Sequence, residues 1–178
     1  MKRVTLDASV AIAWLMDEER PAWVDRLIDE ARAGTLGLAV PSLFWMELGN
    51  RLSRDQSLTD DQAVDGLLRF ESLGAETVEL ERPLRIRALQ LAREQRLTMY
   101  DGAYLALAHA LDAPLATLDR RLESAAAALG IGHRHGSHHT SEEQAAYGQE
   151  ADLVSVAAIG AALAELRSRY QSGTEDAA

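Results

Sequence analysis

Apolar positions along this chain fall into two kinds of run. Short β-like stretches occur at Arg3 to Leu6, Leu36 to Val40, Glu76 to Leu80 and Pro114 to Leu118. Between them lie longer stretches whose apolar residues recur every three or four positions, near Val10 to Leu15, Trp23 to Arg32, Ser42 to Arg54, Asp60 to Leu73, Leu84 to Arg96, Tyr104 to Leu111 and Arg120 to Leu129. Strands alternating with helices predict an α/β fold with a central, mainly parallel sheet flanked by helices. Local signals agree with several boundaries. "TDDQ" at Thr59 to Gln62 has the form of a capping box, and Pro83 stands where a first-turn proline would.

The pattern changes after about Gly132, passing through "HRHGSHHTSEEQ" into a second helical stretch over Asp152 to Tyr170. The expected organisation is therefore one domain over residues 1–132, followed by a His-rich linker and an amphipathic helix over residues 133–178. In the last helix Leu153, Val156, Ile159, Leu163, Leu166 and Tyr170 form one apolar stripe. Such a helix is marginal in isolation, so the stripe is expected to dock on a surface. The spacing of His133, His135, His138 and His139 fits no zinc motif, and adventitious metal binding by a solvated linker is the simpler reading.

Composition narrows the classes of function. A chain of 178 residues with 47% hydrophobic content suits one sizeable core. The absence of cysteine leaves no disulfide framework, and any metal must be held by oxygen or imidazole. The first residues enter a strand pattern directly, and the longest nearly apolar run, Leu153 to Ala164, is shorter than the roughly 18 residues a membrane span needs. A soluble, cytoplasmic protein is expected. The formal net charge of −10 argues against a broad basic footprint for nucleic acid, though not against a nuclease whose acidic site carries cations. Lys2 is the sole lysine, so chemistry that needs a lysine inside the fold is excluded.

Four carboxylates sit in awkward places. Asp7 joins the first strand to the first helix and could be a simple cap. Glu47, in "SLFWMELGNRL", interrupts an apolar helical run, with Arg51 one turn on as an ordinary candidate partner. Asp101 opens the run "YDGAYLALA", and Asp119 follows the strand in "LATLDRRL"; each could also be a cap. Taken together they suggest more. In doubly wound sheets ligands bind beyond the carboxyl ends of the strands, where strand order reverses, and Asp7 and Asp119 both fall at such ends. Converging carboxylates about 4 Å apart would repel by roughly 4 kcal/mol per pair at an effective dielectric near 20. An oxygen-ligated Mg²⁺ or Mn²⁺ relieves that repulsion and supports hydrolysis of a phosphodiester.

The stretches "LDASV", "ELGN", "YDGAYLALA" and "LATLDRRL", in that order over about Val4 to Ile131, resemble the PIN-domain ribonucleases, and among them the VapC-type toxins of bacterial toxin–antitoxin pairs. The resemblance implies a PIN-like (Rossmann-like) three-layer fold and a Mg²⁺- or Mn²⁺-dependent endoribonuclease. Asp7, Glu47, Asp101 and Asp119 would form its acidic quartet. Asp7 and Asp101 would hold the metal, Glu47 and Asp119 would be further candidates, and Ser9 and Thr117 would line the site toward substrate. It also implies a homodimer and a VapB-like antitoxin as partner. The segment beyond about Gly132 departs from the compact members. Rival readings fare worse: a phosphoacceptor receiver domain needs a late lysine, a P-loop enzyme needs Gly-Lys-Ser/Thr, and a haloacid-dehalogenase-like site needs Asp where Ser9 stands. The alternative that survives is a catalytically silent PIN-like module acting through a protein partner.

Overall fold

In a computed structural model the chain is described over residues 2–16 and 19–133. The expected His-rich linker and the stripe over Asp152 to Tyr170 lie outside these residues, as do His135, His138 and His139. In chain order the elements are β1 (Lys2–Leu6), α1 (Ala8–Leu15), α2 (Ala22–Arg32), β2 (Leu36–Pro41), α3 (Leu43–Arg54), α4 (Asp60–Glu71), β3 (Glu76–Val78), α5 (Arg82–Gln95), α6 (Met99–Leu111), β4 (Leu115–Ala116) and α7 (Arg120–Ala128). Helices thus separate the strands throughout, and the α/β class holds.

Every strand pairing is parallel, and the order across the sheet is β3-β2-β1-β4. β1 is central, paired with β2 from Lys2↔Leu36 to Thr5↔Ala39 and with β4 through Thr5↔Leu115 and Leu6↔Ala116. The chain leaves β1 toward β2 on one side and returns to β4 on the other, so strand order reverses between β1 and β4. Val4, Leu6, Leu38, Ala39, Val40, Leu115 and Ala116 are buried. Near-continuous apolar strands are what a parallel sheet covered on both faces requires.

Two strands are shorter than their sequence pattern. β3 ends at Val78 because its partner β2 turns into α3 after Pro41, where Ser42 N–H donates to the Val78 carbonyl at 3.0 Å. β4 ends at Ala116, whose carbonyl accepts from Asp7 N–H at 3.0 Å as both chains leave the sheet. α6 starts five residues before the expected Tyr104, because Thr98 and Asp101 form a reciprocal capping box. The "TDDQ" capping box is present at the start of α4, and Pro83 lies in the first turn of α5. The tryptophans serve packing. Trp14 and Trp23 are buried, and Trp45 packs against Phe44 and Phe70 with Nε1 donating to Thr77 Oγ1 at 2.8 Å. The guanidinium carbons of Arg32 and Arg69 lie 5.0 and 5.4 Å from the Trp14 ring centre, tying α1 to α2 and α4.

α6 lies tightly against α5 at Gly102. A methyl group there would stand 2.2 Å from the Ala88 carbonyl oxygen and 3.0 Å from Ala92 Cβ. Both obstacles belong to a helix backbone or its first side-chain atom, so neither can swing aside. Gly102→Ala is expected to push α6 off α5 and cost about 1–3 kcal/mol, read as a lower urea midpoint at unchanged slope.

Candidate active site

Asp7 is the N-cap of α1 and is only 8% exposed. Its extended backbone (φ −81°, ψ 149°) carries the chain from strand to helix, and Oδ2 accepts from Ser9 N–H at 3.3 Å. The same oxygen accepts from the Ser9 hydroxyl and, at 2.9 Å, from the Thr117 hydroxyl. Both hydroxyls also accept from the backbone of the loop after β4. Ser9 Oγ accepts from Leu118 N–H at 3.0 Å, and Thr117 Oγ1 accepts from Asp119 N–H at 3.0 Å. Two adjacent strand ends are therefore laced together through one carboxylate. A hydroxyl has one proton to donate, and in Ser9 and Thr117 that proton is directed at Asp7. Burial raises the Asp7 pKa above its ordinary 3.8, and the bonds from Ser9 and Thr117 only partly offset this.

Glu47 lies in the second turn of α3. That helix is amphipathic rather than apolar all round, with Phe44, Leu48 and Leu52 buried and Met46 71% exposed. Arg51 is not the partner of Glu47; it pairs with Asp55 at 2.9 Å. Instead Tyr104 of α6, 1% exposed, donates its hydroxyl to Glu47 Oε2. Burial raises the Glu47 pKa, the Tyr104 hydrogen bond lowers it, and the charges of Asp7 and Asp101 raise it again. Burial first, then the charge of Asp7 and the Glu47 contact, push the Tyr104 phenol upward, so it remains a donor. Tyr104 carried a signal in the sequence, since it follows Asp101 by three residues and so shares a helix face with it.

Asp101 is not the cap of α6 but its third helical residue. Thr98 caps the helix, and Asp101 Oδ2 accepts from Thr98 N–H at 3.0 Å and from its hydroxyl at 2.8 Å. The Thr-x-x-Asp spacing that marks this box was readable in the chain. Asp119 does cap its helix, with Oδ1 accepting from Arg121 N–H at 2.8 Å and Leu122 N–H at 3.0 Å.

Glu47 thus feels the charges of Asp7 and Asp101, while Asp119 is linked to Asp7 through Thr117. Among the described residues no three His, Asp or Glu side chains stand close enough to hold one ion jointly. The donor chemistry nonetheless suits a hard cation. Glu47, Asp101 and Asp119 each direct one carboxylate oxygen to a protein donor, which leaves the lone pairs of the other oxygen. Mg²⁺ ordinarily takes one or two carboxylates and keeps several waters.

A profile of the PIN domain matches residues 4–128. The chain belongs to the PIN-domain family. This PIN domain is similar to Ribonuclease VapC3 of Pyrobaculum aerophilum, with 33% identity over 125 residues that cover 67% of this chain and 92% of that protein. Its fold matches the crystal structure of PAE2754 from Pyrobaculum aerophilum with a TM-score of 0.53 and 25% identity, covering 70% of this chain and 84% of the other. It also matches VapBC2 from Rickettsia felis, solved bound to a DNA fragment from its promoter, with a TM-score of 0.55 and 17% identity over 68% of this chain and 92% of the other. Among the described residues no helix is long and apolar enough to cross a membrane.

The raised Asp7 pKa has a defined sign for stability. The folded chain holds this proton more tightly than the unfolded chain, so the contribution is fully present below the ordinary value of 3.8 and is lost as pH rises through the raised value. Asp7→Asn keeps an oxygen able to cap α1 but does not titrate. In EDTA it is expected to melt above the wild type near about pH 7, with the gap closing as pH falls toward about 4. Circular-dichroism melts across that range check this.

Proposed function

We propose that this PIN domain is a Mg²⁺- or Mn²⁺-dependent endoribonuclease acting as the toxin of a toxin–antitoxin pair. The observation that carries the reading is the buried Asp7 at the β1–β4 reversal, electrostatically coupled to Glu47 and joined through Thr117 to Asp119. Asp7 and Asp101 would hold the metal, with Glu47 and Asp119 as further candidates. When bound, a divalent cation there supplies an acidified water and neutralises charge developing on the phosphodiester.

The protein's own contributions follow from the contacts. Ser9 and Thr117 hold Asp7 Oδ2 in one orientation, which preorganises the site before substrate arrives. Tyr104 occupies Glu47 Oε2, which leaves Oε1 as the oxygen that would take a proton from the attacking water. The raised pKa of Glu47 makes it a stronger base than an exposed carboxylate. Attack by water rather than by the ribose hydroxyl leaves a 5′-phosphate on the product. The relation to a VapC ribonuclease supports the ribonuclease reading, and a VapB-like antitoxin, a homodimer and a cytoplasmic setting belong to the same proposal.

The absence of a ready three-ligand cluster among the described residues favours one other reading, a silent PIN-like module working through a partner. One experiment separates the two. Purified protein and a 5′-labelled single-stranded RNA are incubated with Mg²⁺ or Mn²⁺ and, in parallel, with EDTA. Cleavage to products bearing a 5′-phosphate is expected only with metal, and Asp7→Asn or Asp101→Asn should lower it by at least about a thousandfold while folding is kept. Undiminished cleavage in EDTA or in either variant overturns the nuclease mechanism, and no cleavage under any condition leaves the binding module.

A further inference from the structure

Three arginines stand where local backbone physics disfavours them. Arg96 ends α5 in the left-handed conformation, with φ 55° and ψ 42°, a position that glycine or asparagine fills without the Cβ penalty. Arg120 and Arg121 are the first two residues of α7, where positive charge opposes the helix dipole. These violations meet in space, because Arg121 Nη2 donates to the Arg96 carbonyl oxygen at 2.8 Å. They also lie next to the carboxylates along the chain. Arg96 precedes by two residues the Thr98 that clamps Asp101, and Arg120 follows Asp119 directly.

Charge along the chain points the same way. Residues 82–121 hold seven of the 18 basic residues but only four of the 28 acidic ones, in a protein that is otherwise strongly anionic. Arg96 and Arg120 are exposed, and neither makes an ion pair among the described residues. Residues that break local preferences without a structural return tend to mark function.

We propose that Arg96 and Arg120, braced by the Arg121 contact, form a basic rim that grips the backbone phosphates of single-stranded RNA flanking the one presented to the carboxylates. This rests on the ribonuclease reading and deepens it. An acidic site repels a polyanion, and a pair of guanidiniums beside it supplies the compensating field. Guanidinium forks match phosphate oxygens bidentately. Contacts of this kind hold any sequence, so the rim sets affinity and register rather than base preference.

The test separates grip from scaffold. Binding of a 5′-fluorescein-labelled, mixed-sequence 12-nucleotide RNA is followed by anisotropy in EDTA, over a series of salt concentrations. Arg96→Asn and Arg120→Gln are each expected to weaken binding about threefold to tenfold and to reduce the slope of log affinity against log salt by about 0.7. Both should melt at or above the wild-type temperature, since each removes a local conflict. Arg26→Gln, exposed on α2, should change neither reading. Unchanged affinity and slope, an equal loss in Arg26→Gln, a loss that tracks a lower melting temperature, or no binding by the wild type would each overturn the rim. Metal-dependent cleavage of the same oligonucleotide is scored separately, so the nuclease reading can stand while the rim fails, or fail while it stands.

Discussion

A carboxylate buried where strand order reverses is the constraint on which this molecule turns. Removing Asp7 from water is unfavourable, and the fold answers with donors rather than with an opposite charge. Two hydroxyls and a backbone N–H converge on Oδ2; the Ser9 hydroxyl reaches across to the backbone of the neighbouring loop, and the Thr117 hydroxyl comes from that loop. The same contacts that partly solvate the carboxylate therefore set the spacing of the β1–α1 and β4–α7 connections. An Arg or Lys partner would have neutralised the site and spoiled it for a cation. Hydroxyl donors orient the carboxylate and leave its charge in place.

The other acids repeat this logic with different parts. Glu47 is met by a buried phenol, Asp101 by the threonine that caps its own helix, and Asp119 by the first amides of α7. Helix capping and site construction are thus the same act at three of the four positions. A cap reading and a metal-site reading of these residues are compatible, since capping leaves one carboxylate oxygen unused in Asp101 and Asp119. Gly102 belongs to the same arrangement. By letting α6 lie against the backbone of α5 it fixes the helix that carries Asp101 and Tyr104.

Membership of the PIN-domain family fits this construction. In the proposed rim, the arginines at the α5–α6 turn and the start of α7 would add a basic margin to a site that is acidic at the sheet end. The proposed metal-assisted nuclease would need both signs close together, since a cation wants carboxylates and a nucleic-acid strand wants guanidiniums.

How much of this was legible in the chain follows from the range of each interaction. The alternation of strands and helices, the capping box at Thr59 and the candidacy of Asp7, Glu47, Asp101 and Asp119 rest on neighbours within a few residues, and a one-dimensional pattern records such neighbours. The Thr98 box was equally local and could have been read, which would have placed the start of α6 correctly. Strand lengths were not local, because β3 and β4 stop where their partners turn away. The partner of Glu47 was beyond reach for the same reason: Arg51 lies one turn away along the helix, yet the hydroxyl that meets the carboxylate comes from Tyr104, 57 residues on. Ser9 and Thr117 were visible as hydroxyls, but their convergence on one oxygen of Asp7 joins positions 110 residues apart. Sequence alone determined which groups are available and which elements carry them. Only the packing of β1 beside β4 and of α6 beside α3 decided which groups meet, because a hydrogen bond needs its partners within about 3 Å and nothing along the chain encodes that distance.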